Sequence, residues 1–343
     1  MYKRQARLRE ESAWAPAGHV LGTTQFDLTP AAATAASRAR TARWAGAEPG
    51  VPARLAVGPA VFEDGRLAEL AGRPVSGPLL SLFRAPTDND SLAARGSYDL
   101  GDPNAGAGNG VPAPALAEDW RRAGLDRLTA RIEEVESTAD GLRVLTRHAP
   151  AASRLCVWTD IRWQTLDDGS ALLAVDILPS AGWDMVWPRL GIRFDLPGAV
   201  ESASWFGTGP LESYPDSDHA AHVGRYSSSV ADLSVDYARP QETGHRSALR
   251  SLELAAEGAP WLLLDAEPDV RGRRPGFTLS RHTAEEIDAA THPFELPASD
   301  ATHLYLDAAQ NGLGSRACGV DVWPTSILRP EARSLRFRIS GAR

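Results

Sequence analysis

Residues 127–179 read RLTARIEEVESTADGLRVLTRHAPAASRLCVWTDIRWQTLDDGSALLAVDILP. Runs rich in apolar, β-branched and aromatic residues at 127–136, 141–149, 154–166 and 170–179 are divided by Asp-Gly and proline turns. Strand follows strand here, with no helix between. The same rhythm precedes this stretch at 53–57, 60–64, 66–70 and 78–84. It continues after it near 186–196, 201–206, 221–227, 247–255, 260–265, 276–281, 302–309 and 333–340. Many short strands at close spacing predict an all-β sandwich. No fixed internal period is visible, so a propeller is not expected. Trp158, Trp163 and Trp187 fall in strand patterns and are read as core.

Two helices interrupt the strands. Residues 115–123 (ALAEDWRRA) form an amphipathic run stopped by Gly124, a residue suited to the left-handed C-terminal cap. Residues 284–290 (AEEIDAA) follow Thr283 and place Glu286 three positions on, matching a capping box.

With 43% hydrophobic and 23% charged residues, the 343-residue chain has the composition of a folded globular protein and not of a disordered one. Its length suits one large β domain, or one domain with a fragment of another. Apolar runs such as WLLL at 261–264 fall far below the roughly 18 residues of a membrane span. A net charge of −8 disfavours nucleic acid and anionic membranes as partners. Cys156 and Cys318 are the only cysteines. They show neither a disulfide framework nor zinc spacing, and a cytoplasmic location is the simplest inference.

Residues 1–5 (MYKRQ) hold Lys3, the only lysine of the chain, and are expected to be a non-native leader. Residues 6–30 read as a hairpin turning at Pro16-Ala17-Gly18. A lone hairpin buries no core, so these are expected to be the last strands of an incomplete sandwich. Residues 31–50 are alanine-rich without core periodicity and read as a linker, with a short helix as the alternative. Residues 51–343 form the all-β domain.

Three clusters exceed what packing explains. FRAPTDND (83–90) opens a loop at 88–114 that is too long to be a passive connector. WFGTGPLESYPDSDHAAHVGRYSSSV (205–230) leads to DYARPQETGHR (236–246), and DAAQNGLG (307–314) runs on to Cys318-Gly319. Asp88, Asn89 and Asp90 have a plain reading as turn residues that cap backbone N–H groups. The glycine and distal glutamate of an EF-hand are missing. Gly207-Thr208-Gly209 is not a phosphate loop, because Pro210 denies the helix such a loop must open. Arg239, Glu242 and Arg246, with Glu212, are expected to form a buried ion network between sheets. The alternative for Glu242 and His245 is acid–base action on a sugar hydroxyl. His219, His222 and His245 lack a ligand spacing, so no metal site is expected.

FRAPTDND, EDWRRAGLDRL (118–128), WFGTGPLESYPD, VGRYSSSV, RPQETGHR, HPFELP (292–297) and LDAAQNGLGS occur in an order that carries a resemblance. Together they resemble the C-terminal domain of the large β-galactosidases of glycoside hydrolase family 2, a domain also found as the small subunit of two-chain enzymes. The resemblance runs from about Leu55 to the last residues. ESAWAPAGHVLGTTQFDL (11–28) resembles the closing strands of the preceding immunoglobulin-like domain.

The resemblance implies a galactose-mutarotase-like supersandwich of two large antiparallel sheets with one or two short helices. It also implies hydrolysis of terminal β-D-galactose with retention, by two glutamates in a barrel. Nothing in this chain alternates strand with helix, so no catalytic residue is expected in it. The family's magnesium and sodium ligands are expected with the barrel, and the chain alone is expected to be inactive. Its implied partners are the catalytic barrel or large subunit, further copies of the complete enzyme, and a β-galactoside or galactose.

Two parts of the family domain approach the sugar: the loop after the Asp-Asn-Asp turn, here Ser91 to about Asp102, and an aromatic after the C-terminal glycine-rich turn. Cys318 stands at the aromatic position with a one-residue gap, offering less apolar area than an indole; Trp323 is the alternative. The implied substrate-binding set is therefore Cys318, Asp88, Asn89, Asp90 and Ser91. A stand-alone carbohydrate-binding or scaffold module is the second reading. Aldose epimerase activity is the third, without that family's His-rich pattern.

Overall fold

The computed structural model describes residues 2–26, 48–95, 111–198, 200–315 and 321–342. Most of the expected linker, the loop at 96–110 and Cys318 lie outside the described residues.

Alternation sets the faces of the sheets. In the strand Ala171–Pro179, Ala171, Leu173, Val175 and Ile177 are buried, while the residues between them are half-exposed. This is the two-residue period of a strand packed on one side. It sits inside a ten-stranded antiparallel sheet. In order across it run His222–Ser229, Ser202–Gly209, Ser251–Ala256, Ala259–Ala266, Arg333–Gly341, Ala171–Pro179, Val157–Thr165, Gly141–Ala149, Thr129–Ser137 and Glu48–Pro49. The C-terminal strand is thus inserted mid-sheet and joins two runs of hairpin-connected strands.

A four-stranded sheet of Gly276–Ser280, Thr302–Gln310, Arg189–Leu196 and Ser76–Ser81 shares its core. A second four-stranded sheet is built from Arg54–Val57, Ala60–Glu63, Arg66–Leu70 and Arg73–Pro74. One cluster of buried side chains joins all three. Phe62 meets Trp163 edge-on at 5.6 Å, and Trp205 meets Phe277 at 5.7 Å. The fold class is therefore all-β with large antiparallel sheets, as the strand spacing predicts. The ten-stranded sheet and the sheets sharing its core are the large antiparallel sheets expected, and two two-stranded pairings, Tyr2–Arg7 with Val20–Phe26 and Ala94–Arg95 with Val111–Pro112, complete the described topology.

The helix Leu116–Ala123 ends on Gly124 in the left-handed conformation, at φ 72°. Ala284–Ala289 opens with the Thr283–Glu286 capping box. Trp163 and Trp187 are buried, but Trp158 is half-exposed, and Trp187 sits in the connection before Arg189–Leu196 and not in a strand. Tyr2–Arg7 pairs with Val20–Phe26 from Tyr2 onward, so residues 2–5 take part in the hairpin. The Gln25 side chain docks this hairpin on the strand His222–Ser229, accepting from the Val223 N–H at 2.7 Å and donating to its carbonyl at 2.9 Å.

His148, in Gly141–Ala149, is buried with Nε2 3.0 Å from Thr159 Oγ1. Burial lowers its pKa from 6.5 to about 4. The unfolded chain therefore binds a proton that the folded chain refuses between these values, and stability rises with pH across that window. Acidification from pH 7 to pH 5 is expected to remove about 2 kcal/mol through this residue. Urea unfolding at both pH values checks it: His148→Gln should flatten the difference, and an unchanged difference would refute the assignment.

Candidate functional site

Three turns distant in sequence meet at one corner of the fold. Arg84, fully buried, is the hub. Its Nε and Nη2 donate to the Asp90 carboxylate at 2.9–3.2 Å. Its Nη1 reaches the Asn311 carbonyl at 2.7 Å and its Nη2 the Gly312 carbonyl at 3.0 Å. The guanidinium also lies over Trp120, 5.5 Å from the ring. A planar fork with five donors suits this task, since each donor has a fixed direction.

Asp90 in turn shapes the single helical turn Asp88–Ser91. Its Oδ2 accepts from the Thr87 N–H at 3.0 Å, and Thr87 Oγ1 accepts from the Asp90 N–H at 3.2 Å. Asp90 is 2% exposed with both oxygens engaged, which corrects the expectation that it contacts a sugar: it positions the turn. Asn89 Nδ2 donates to the Leu313 carbonyl at 2.9 Å. Ser91 Oγ donates to the Thr87 carbonyl at 3.0 Å. Asp88 is exposed, with its N–H on Gln241 Oε1 at 3.1 Å.

The third turn contributes Asp216, which the sequence reading missed. Its Oδ1 accepts from the Leu313 N–H at 3.0 Å, and its Oδ2 accepts from the Gly314 N–H at 2.9 Å and from Ser315 Oγ at 3.0 Å. The turn geometry requires glycine at its partners. A Cβ on Gly312 would overlap Asp216 Oδ2, and one on Gly314, at φ 141°, would overlap Asn89 Nδ2. The signal was present as a Pro-Asp turn facing a paired-glycine turn, but nothing local says that the two touch. The corner thus braces both segments expected to approach a sugar. Trp323 is exposed beside it, with its N–H on Ser315 Oγ at 2.9 Å.

Behind the corner lies a second polar centre. Arg189, in the strand Arg189–Leu196, is buried against Glu242 at 2.8 Å and Asp307 at 3.1 Å, with the Tyr305 ring 4.3 Å from its guanidinium carbon. Burial alone would lower its pKa, but Asp307 and Glu242 outweigh that and raise it. Glu242 Oε1 also accepts from Tyr214 Oη at 3.1 Å and Gln310 Nε2 at 3.3 Å. Burial first, then Glu242 and Glu212, hold the Tyr214 pKa well above the phenolic range, so it stays a donor. His245 Nδ1 lies 3.3 Å from Asp307 Oδ2.

This differs from the expected network in three respects. Glu242 pairs with Arg189 and not with Arg239 or Arg246. Arg239 is exposed, with no ion pair among the described residues. Arg246 donates to the carbonyls of Leu233, Gly244 and Pro210, and lies over Trp205. Glu212 accepts from Thr243 Oγ1 at 3.0 Å and the Gly244 N–H at 2.8 Å, pinning the same segment. His219 is exposed, His222 half-buried and His245 buried. Among the described residues no three His, Cys, Asp or Glu side chains converge as a metal ion needs. None of the helices among them is long and apolar enough to cross a membrane.

The segments that build the corner belong to a stretch, residues 62–339, that matches the family model described as Beta galactosidase small chain. The chain belongs to the β-galactosidase small-chain family. A β-galactosidase of Arthrobacter sp. (strain B7) is 54% identical over 338 residues, which is 98% of this chain and 33% of that protein. A β-galactosidase of Vibrio cholerae is 30% identical over 335 residues, 93% of this chain and 29% of that protein. This small-chain family member thus spans about a third of the length of the relatives it matches. Among solved structures, a GalM/aldose epimerase homologue from C. elegans covers 64% of this chain and 71% of its own. Its TM-score is 0.34 at 10% identity, too loose a likeness to carry an argument.

Proposed function

We propose that this chain is the C-terminal part of a retaining β-galactosidase of glycoside hydrolase family 2, an enzyme that cleaves terminal β-D-galactose. Its role is to form a wall of the galactoside cleft and a surface for assembly. The catalytic glutamates and the magnesium and sodium ligands are assigned to a barrel domain or large subunit outside this chain, in a cytoplasmic homo-oligomer.

The observation that carries this reading is the braced corner in a small-chain family member. Arg84, Asn89 and Asp216 rigidly link the base of the loop after Ser91 to the turn that leads to Cys318. Cleft walls need such support, because a loop built on fixed backbone holds substrate in one orientation. Asn89, Ser91 and Cys318 are the residues we assign to the sugar-facing edge, with Asp88 at its margin. The carboxylates of the corner support the division of labour. Asp90 is consumed by Arg84 and Asp216 by backbone N–H groups, whereas a glycosidase needs two carboxyl groups free to act across the scissile bond.

The purified chain is expected to leave an aryl β-galactoside at the buffer rate, and addition of the complementary large fragment is expected to restore turnover. Turnover by the chain alone that survives Cys318→Ala would overturn the proposal.

A further inference from the structure

Beside the Arg189 centre the fold leaves a half-open cavity of about 570 Å³. That volume lies within the roughly 300–1,000 Å³ of small-molecule sites. Its floor is polar, formed by Arg189, Glu242 and Thr278; apolar side chains such as Tyr237, Ile287 and Leu296 form the walls. A few convergent polar groups set in an apolar wall is the usual composition of a ligand pocket.

The floor has unused hydrogen-bonding capacity. All three donors to the Glu242 carboxylate, from Arg189, Tyr214 and Gln310, converge on Oε1. Among the described residues Oε2 accepts no hydrogen bond, although the Glu242 side chain is only 5% exposed. Arg189, 1% exposed, directs Nη2 to Glu242 and Thr278, while Nη1 donates to no described group. Neither atom is fully enclosed by protein, so both open onto accessible space, where a polar group is costly to leave unmet. Water or a ligand must satisfy them.

The pair also defines what fits. Held side by side by their own ion pair, Glu242 and Arg189 present one acceptor and one donor, which two adjacent hydroxyls satisfy together. The charged residues lining the cavity balance, Arg189 and Arg281 against Asp236 and Glu242. Arg281, held by Thr302 Oγ1 and the Val200 carbonyl at 2.6 and 2.8 Å, has only neutral acceptors among the described residues and so keeps its charge in this balance. A net anion or cation thus gains little there. We propose that this cavity binds a neutral hexopyranose, gripped through adjacent hydroxyls by Glu242 and Arg189 and packed through its C–H face on Tyr237 and Leu296. This goes beyond the cleft-wall role and does not depend on it, since the cavity lies within this chain. The wall segment 240–243 also holds the Asp88 turn through Gln241 and the Ala85 carbonyl through the Glu242 N–H.

Calorimetric titration of the 343-residue chain with galactose, glucose and, as an anionic counterpart, galacturonate tests the proposal. Saturable binding of a neutral hexose in the millimolar range or tighter is expected, at least about tenfold stronger than galacturonate. Two variants locate it. Glu242→Gln keeps an acceptor for the three donors on Oε1 but replaces the free Oε2 acceptor with an amide donor, at unchanged shape. Ala231→Trp fills the cavity mouth from an exposed position, so that folding is spared. Both should weaken binding at least about tenfold, with the Ala231→Trp melting curve unchanged. No saturation by about 100 mM hexose, tighter binding of galacturonate, or undiminished binding in either variant overturns the proposal.

Discussion

Replacing Arg189 with methionine is expected to lower folding stability by about 3–5 kcal/mol, because it strands two buried carboxylates around a neutral side chain. Arg189 is 1% exposed, and its partners Glu242 and Asp307 are 5% and 0% exposed. Methionine fills much of the volume, so the loss measures electrostatics more than a cavity. It also removes the cation over the Tyr305 ring. The strand carrying Arg189 pairs with both Thr302–Gln310 and Ser76–Ser81, so the damage falls at the centre of its sheet. Denaturant unfolding followed by tryptophan fluorescence reads the change. If uncompensated charge is the cause, adding Glu242→Gln and Asp307→Asn to Arg189→Met should return part of the loss. A loss below about 1 kcal/mol for the single variant, or no recovery in the triple one, would sink the electrostatic account.

That ion centre marks where reading the sequence stops. Strands were legible because turn chemistry and two-residue alternation are local: Gly141–Ala149, Ala171–Pro179 and both helix caps lie where their residues place them. The insertion of Arg333–Gly341 between Ala259–Ala266 and Ala171–Pro179 was not legible, since pairing over such separations depends on global packing. The same limit misplaced the partner of Glu242. Arg239 and Arg246 stand near Glu242 in sequence, while its partner lies 53 positions earlier in an ordinary apolar strand. Arg189 carries no turn or glycine to flag it, and only the fold reveals that its fork is enclosed. At the corner the case is intermediate. FRAPTDND and QNGLG stood out by composition, but that Arg84 and Asp216 bind the backbone of the second turn is a tertiary fact. Glu48–Pro49 shows the converse: residues read as the end of a linker pair with Thr129–Ser137 at the sheet edge.

In the complete β-galactosidase to which we propose this chain contributes, Gly314→Ala is expected to reduce kcat/KM by about 10²-fold, with a comparatively small effect on melting of this chain. Its φ of 141° is strained for any residue with a Cβ, and the added carbon would overlap the Asn89 amide. The turn therefore has to shift, and with it two restraints: the Asn89 bond to the Leu313 carbonyl and the Asp216 bond to the Gly314 N–H. Arg84, held by Asp90, is deeper and grips the Asn311 and Gly312 carbonyls, so the core of the corner holds while its outer edge moves. A displacement confined to that edge would shift the segments proposed to face the sugar, and misplacement by about 1 Å is enough for a loss of this order. The two possible causes separate in a second variant. Asn89→Ala removes the colliding amide, and with it the bond to Leu313, but leaves φ, so adding Gly314→Ala to Asn89→Ala should cost little beyond Asn89→Ala alone if the overlap is dominant, and most of its full effect if backbone strain is. Steady-state kinetics with lactose and an aryl galactoside decide the matter. Values within about threefold of wild type for both substrates in a fully assembled enzyme would show that this corner does not shape the cleft.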